Sequence, residues 1–188
     1  MLDAFFIALF FTFISEIADK TQLVILGLAL KYKASFQVFL GALFAHSFMD
    51  GIAILLGYFF SFQLQTNMLK IIVGIAFILL GIYGLVKIYR KKTKKQEKEI
   101  DGRTPFVIAF LTVMLSEFGD KTQISSGLLA AKYLLPLHIF IGAFLALALV
   151  IGLNVFVGAK IAERLPVKAI KIATSVLFIL FGIISLLT

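Results

Sequence analysis

Long apolar stretches separated by short polar breaks set the rhythm of the chain. Six such stretches run over 4–30, 36–60, 68–89, 104–131, 136–158 and 167–187. A helix of about 20 mainly apolar residues crosses the hydrocarbon core of a bilayer, so the pattern predicts six membrane-spanning helices. The expected fold class is an all-α integral membrane protein. The connections are short except at 90–103. The first and fourth stretches carry a charged cluster in their interior: "SEIADKTQL" at 15–23 and "SEFGDKTQI" at 116–124.

Composition agrees with a membrane solvent. The chain is 61% hydrophobic and 15% charged, with mean hydropathy +1.07, whereas soluble domains carry about 25% charged residues. The absence of cysteine excludes disulfides, thiolate metal ligands and cysteine nucleophiles. A net charge of +8 would admit nucleic acid as a partner, but its distribution argues against that. Seven Lys or Arg against three acids fall between Arg90 and Arg103. That run lies between apolar spans, with no base-reading motif beside it, so it reads as a cytoplasmic loop near anionic lipid headgroups. The first residues, Met1, Leu2 and Asp3, give no basic region and no cleavage site follows the "FFIALFFTFI" run, so the first span is expected to remain in the mature protein.

A shift of 101 residues lays one half of the chain on the other. Glu16, Asp19, Lys20, Thr21 and Gln22 fall on Glu117, Asp120, Lys121, Thr122 and Gln123; Gly41-Ala42 falls on Gly142-Ala143, Gly57 on Gly158, and "FILLGI" from Phe77 on "FILFGI" from Phe178. The register holds without a gap, which identifies an internal duplication. The expected units are a three-helix repeat at 1–89, a basic loop at 90–103 and a second three-helix repeat at 104–188. An odd number of spans per repeat makes the second enter from the opposite side. Placing loop 90–103 in the cytoplasm puts 14 of the 18 basic residues inside and two outside, the remaining two lying in the motifs. This satisfies the positive-inside rule. Both termini are then expected outside, and the architecture is that of two inverted repeats, in which transporters place their site near the midplane. Short loops suggest a prokaryotic inner membrane.

On one continuous helix, Ser15, Glu16, Asp19, Lys20 and Gln22 would share a face. Charge at the bilayer centre costs at least about 2.5–3.5 kcal/mol per residue, so the two polar faces are expected to meet each other. They would supply four carboxylates, Glu16, Asp19, Glu117 and Asp120, with Thr21, Thr122, Gln22 and Gln123 as further oxygen donors. Lys20 and Lys121 would balance charge, leaving the two negative charges that one dication neutralises. An all-oxygen donor set suits a hard divalent cation. Carboxylates crowded in a low dielectric cannot all ionise, so the site without its cation holds protons that an entering cation expels. Cation/proton antiport follows from that competition. The bland reading, two i,i+4 ion pairs Glu16–Lys20 and Glu117–Lys121 that tie helices together, leaves Asp19 and Asp120 unexplained.

The pattern E-x-G-D-[KR]-[ST], twice in a small six-span chain, resembles the transmembrane protein 165 family, also called uncharacterised protein family 0016. "EFGDKT" at 117–122 fits fully; "EIADKT" at 16–21 departs at Ala18. The resemblance covers nearly the whole chain. It implies export of manganese or calcium against protons, with the Glu and Asp of both motifs as ligands and no resident cofactor. An exporter of another cationic substrate, such as a basic amino acid, is the alternative. No metal-hydrolase signature supports an enzyme.

Asp50 follows His46 by one helical turn, and its counterpart in the second half is Ile151. A proton path, an extra ligand and a plain Asp–His pair beside a vestibule remain open readings. Gly41 and Gly142, each four residues before an alanine, read as helix-packing positions, and Asn154 as an interhelical hydrogen-bonding residue. Because the chain has no cysteine, Thr93→Cys provides a single reporter thiol in the basic loop. In intact cells a membrane-impermeant thiol reagent is expected to label it only after permeabilisation; labelling from outside would reverse the orientation.

Overall fold

A computed structural model of the protein describes residues 1–17, 19–64, 66–89, 103–157 and 166–187. Most of the basic loop 90–103, Ala18, Gly158 and the Lys160/Arg164 connection lie outside the described residues. Among those described, the chain is helical throughout and has no strand. In chain order the helices are α1 (Leu2–Glu16), α2 (Lys20–Tyr32), α3 (Ser35–Ser61), α4 (Thr66–Tyr89), α5 (Pro105–Glu117), α6 (Lys121–Tyr133), α7 (Pro136–Gly152) and α8 (Val167–Leu187). One π-helical turn, Leu153–Val157, prolongs α7.

Four stretches among the described residues are long and apolar enough to cross a membrane: Ser35–Ser61, Asn67–Ile88, Pro136–Val157 and Lys168–Leu187. The stretches 4–30 and 104–131, each expected as one span interrupted by the charged motif, are each divided into two helices there. At 1.5 Å per residue, the 15 residues of α1 reach only about 22 Å, short of a hydrocarbon core of about 30 Å. The 13-residue helices α2, α5 and α6 are shorter still, so each needs its companion to complete a crossing.

The break has a local cause in each copy. Asp19 has extended backbone (φ −82°, ψ 156°) and caps α2, its side chain accepting from the Thr21 N–H at 3.3 Å. Asp120 takes the same N-cap position on α6, again extended (φ −70°, ψ 164°). An extended residue cannot continue the preceding helix; the Asp19 side chain also accepts from an orphan N–H that follows, whereas Asp120 makes no side-chain cap bond. Gly119, at φ 73°, makes the turn into the second cap, a left-handed conformation that glycine adopts without penalty. The expectation of one helical face across 15–22 is therefore corrected: Glu16 ends one helix and Lys20 begins another.

Apolar side chains are as comfortable in lipid as against each other, so close packing must hold the bundle. The most extensive contacts join α4 with α8, then α1 with α7, and α3 with α6 and α5. Glycines permit these approaches. A Cβ on Gly41 would meet the Phe106 carbonyl oxygen and lie 3.1 Å from Ala109 Cβ; one on Gly142 would lie 2.5 Å from the Phe5 carbonyl oxygen and 3.2 Å from Ala8 Cβ. These are the same contacts 101 residues apart with the halves exchanged. At the α4–α8 seam, Gly74 and Gly182 face each other in the same manner. Phe77 and its repeat mate Phe178, both buried, meet at 5.8 Å between ring centroids, and Phe11 stacks on Phe178 at 5.4 Å.

The atoms nearest to a Cβ on Gly41 or Gly142 are backbone oxygens and cannot move aside like a side-chain tip. Gly41→Ala and Gly142→Ala are each expected to cost about 1–3 kcal/mol. Gly27→Ala, where a Cβ would meet nothing within 4 Å, should be neutral or stabilising by up to about 1 kcal/mol. Thermal unfolding of the purified protein in detergent checks the opposite signs.

Candidate metal centre

The two helix breaks face each other inside the bundle. Glu16 is 0% exposed at the C-terminal end of α1, and Glu117 is 4% exposed at the end of α5. The carbonyl end of a helix carries partial negative charge, which disfavours a second anion there and favours a cation. Each glutamate is held by a threonine from the other motif. Thr122 Oγ1 donates to Glu16 Oε1 at 2.6 Å, and Thr21 Oγ1 donates to Glu117 Oε1. This crosswise pair brings one oxygen each from Glu16, Glu117 and Asp120 within 4.8 Å of one another.

The remaining motif residues take distinct places. Asp19 Oδ1 lies 3.7 Å from Lys121 Nζ, an ion pair between the motifs. Gln123 folds back on its own break: its Nε2 donates to the Glu117 carbonyl at 2.8 Å, and its Oε1 accepts from the Gly119 N–H at 3.1 Å. Gln22 is buried, and its carbonyl accepts from Asn154 Nδ2, which also lies 3.4 Å from Gln22 Oε1. Asn154 sits in the π-helical turn; such turns shift the helical register and here the side chain reaches the start of α2. Several acceptor atoms remain without a hydrogen-bond partner among the described residues, including Glu16 Oε2 and Asp120 Oδ2. Converging oxygens with unused lone pairs form a donor set for a hard cation.

Lys20 departs from expectation. It is exposed on the first turn of α2, and the i,i+4 pairing with Glu16 does not form, because the break at Asp19 ends the helical register. Thr122 bonds Glu16 instead. Lys121 makes no such pair with Glu117 either; it reaches across to Asp19. His46 and Asp50, 4% and 2% exposed on α3, lie outside the oxygen cluster itself. The break was written in the sequence as Asp-x-x-Gln, Asp19 to Gln22 and Asp120 to Gln123, a helix-start signal overshadowed by the hydropathy of the flanks.

Buried carboxylates at the meeting point of two broken helices, inside an apolar bundle, are the architecture of a membrane ion carrier. The profile of the family described as divalent cation/proton antiporter GDT1 matches residues 4–92 and 105–188, and the chain belongs to that family. This agrees with the resemblance carried by the two motifs, and the family is one of transporters rather than enzymes. The chain is 29% identical over 171 residues to a protein of Vibrio cholerae serotype O1 named "Putative manganese exporter", covering 90% of this chain and 84% of that one. It is 26% identical over 224 residues to "GDT1-like protein 5" of Oryza sativa subsp. japonica, covering 100% of this chain and 96% of that one. No solved structure matches.

The unequal placement of the two lysines is open to measurement. Lys121→Gln leaves the partly buried Asp19 without its counter-charge and is expected to cost about 1–3 kcal/mol. Lys20→Gln should stay within about 0.5 kcal/mol of the parent. Equal losses in thermal unfolding would contradict this arrangement.

Proposed function

We propose that the protein exports a divalent cation, manganese or calcium, in exchange for protons, by alternating access around the carboxylate cluster. The observation that carries this reading is the convergence of Glu16, Glu117 and Asp120 oxygens within 4.8 Å, held by crosswise threonine bonds. Asp19 completes the carboxylates, and Thr21, Thr122, Gln22 and Gln123 border the site. Family membership supports the cation and the proton, and the name of the Vibrio relative supports manganese. A basic amino acid is the weaker cargo, because its own carboxylate would enter a site already crowded with carboxylates.

Charge supports the exchange. Four carboxylates and one ammonium, that of Lys121, face the site, since Lys20 points away. Fully ionised, the cluster exceeds the charge of one dication by a single negative charge. Anions this close in low dielectric cannot all remain ionised, so cation entry and proton release are competing ways of neutralising the same oxygens. Exchange requires that the loaded states, and not the bare anionic one, permit the switch between sides.

The switch itself fits two inverted three-span units, 1–89 and 104–188, joined by the cytoplasmic stretch 90–103, with both termini outside an inner membrane. Partner exchange between residues 101 apart, at Gly41 and Gly142 and at Thr21 and Thr122, supports a pseudo-two-fold relation between the units. Rocking of one unit on the other would then open the site to either side.

Glu16→Gln, Asp19→Asn, Glu117→Gln and Asp120→Asn are each expected to lower Mn2+ flux into proteoliposomes at least tenfold, on the order of losses seen when a metal's supporting groups are removed. Protein yield in the membrane should be retained. An imposed pH gradient should drive flux in the parent; flux indifferent to that gradient would remove the proton from the mechanism.

A further inference from the structure

The two motif glutamines are identical in sequence and differently used. Gln123 bridges its own break: Nε2 donates to the Glu117 carbonyl at 2.8 Å, and Oε1 accepts from the Gly119 N–H at 3.1 Å. Gln22 makes no such bridge. Its Nε2 is buried without a hydrogen-bond partner among the described residues. Its backbone carbonyl accepts from Asn154 Nδ2, which also lies 3.4 Å from its Oε1. The breaks differ in the same sense. Both close on one backbone bond, Asp19 N–H to the Glu16 carbonyl at 3.0 Å and Asp120 N–H to the Glu117 carbonyl at 2.9 Å. Phe118 (φ −57°, ψ 117°) and Gly119 (φ 73°) form a type II turn, whereas Ile17 (φ −58°, ψ −26°) starts as a type I turn does. The type II form needs positive φ at its third residue, where the first motif carries Ala18 in place of glycine.

Asn154 is the partner that Gln22 takes instead, and one half alone supplies it. It stands in the π-helical turn Leu153–Val157. The matching position 101 residues earlier is Ala53, inside the unbroken α-helix α3. There Ala53 borders a groove of about 350 Å³ that Gln123 and Gly119 also line, so open space stands beside the second motif where the first has an amide. A π-turn interrupts regular helix and occurs mostly at functional sites. The bond also crosses between the two halves: Asn154 belongs to the second and Gln22 to the first, while the bonds of Gln123 to its break stay within one.

We propose that Asn154 is a positioning residue that latches one side of the carrier. By holding Gln22 it ties the end of α7 to the start of α2 and keeps the site closed on the side of the first motif. No matching tie holds the side of the second motif, so the latch favours one facing state over the other. Opening on the first motif's side requires Asn154 to release Gln22. A buried neutral hydrogen bond made in one state and lost in the other shifts their ratio about three- to tenfold. This inference rests on the reading of the protein as a cation carrier whose halves rock.

Two measurements on the full chain test it, with Mn2+ as the probe. Asn154→Leu keeps the size of the side chain and removes its donor. In right-side-out and inside-out membrane vesicles, its half-saturating Mn2+ concentration should fall about three- to tenfold from one face and rise from the other. A merely structural residue would lower yield or maximal rate without this opposition. Asn154→Gln, which retains the donor, should stay within about twofold of the parent at both faces. Constants that move in parallel or not at all overturn the latch, as does an Asn154→Gln variant that follows Asn154→Leu. In the purified protein, backbone amide exchange across 20–26 should rise in Asn154→Leu while that across 121–127 does not; an equal rise, or none, also overturns it. A parent that carries no Mn2+ would remove the carrier reading, while the exchange pattern would still decide whether Asn154 holds the first break.

Discussion

A carboxylate inside a membrane must be given a hydrogen-bond donor, and here each half of the chain gives its donor to the other. Thr122 bonds Glu16 and Thr21 bonds Glu117. Neither glutamate is satisfied within its own half, so the polar centre exists only when the halves are together. Much else follows from that exchange. The threonines must stand in the first turn of a helix that begins beside the opposing glutamate, which requires both motif helices to stop and restart. The stop leaves helices too short to cross alone, and the long apolar helices α3, α4, α7 and α8 enclose them.

The outer part of this design was legible from hydropathy: the helical, apolar character of the stretches and the short corners follow from residue pattern. The interior of the motif was less so. A periodicity of 3.6 residues assumes an unbroken helix, and it placed Lys20 over Glu16. The cap formed by Asp19 and Asp120, with the turn at Gly119, resets that periodicity. Asp-x-x-Gln contains the signal, but within so apolar a segment an Asp is read first as charge and only then as a cap. The cross-motif contacts were expected in kind, as polar faces meeting, but not in detail. Which threonine meets which glutamate depends on how α1 and α5 cross α7 and α3, and no local pattern encodes a crossing. Gly41 and Gly142 pointed to close packing; their partners, Phe106 and Phe5, are known only from the fold.

Equal motifs have not produced equal surroundings. Lys121 pairs with Asp19 while Lys20 lies exposed. Gln22 is bonded by Asn154 from the π-helical turn, whereas Gln123 bonds its own break. His46 and Asp50 are buried on α3 where α7 carries Leu147 and Ile151. Two identical halves would surround the centre identically on both sides; these do not. Of the residues that make these differences, Asn154, His46 and Asp50 lie outside the duplicated motif, in the helices around it.

The glycine crossings bear on how such a chain can drift in sequence. Around Gly41, Gly142, Gly74 and Gly182 the nearest atoms include the backbone of the opposing helix, so no compensating side-chain change elsewhere makes room for a methyl group. Lipid-facing positions such as Phe6, Leu55, Leu79 and Ile183 are under no comparable demand, since one greasy residue serves there as well as another. The positions that admit no added methyl group are thus those where backbones touch, while the lipid-facing ones need only be apolar.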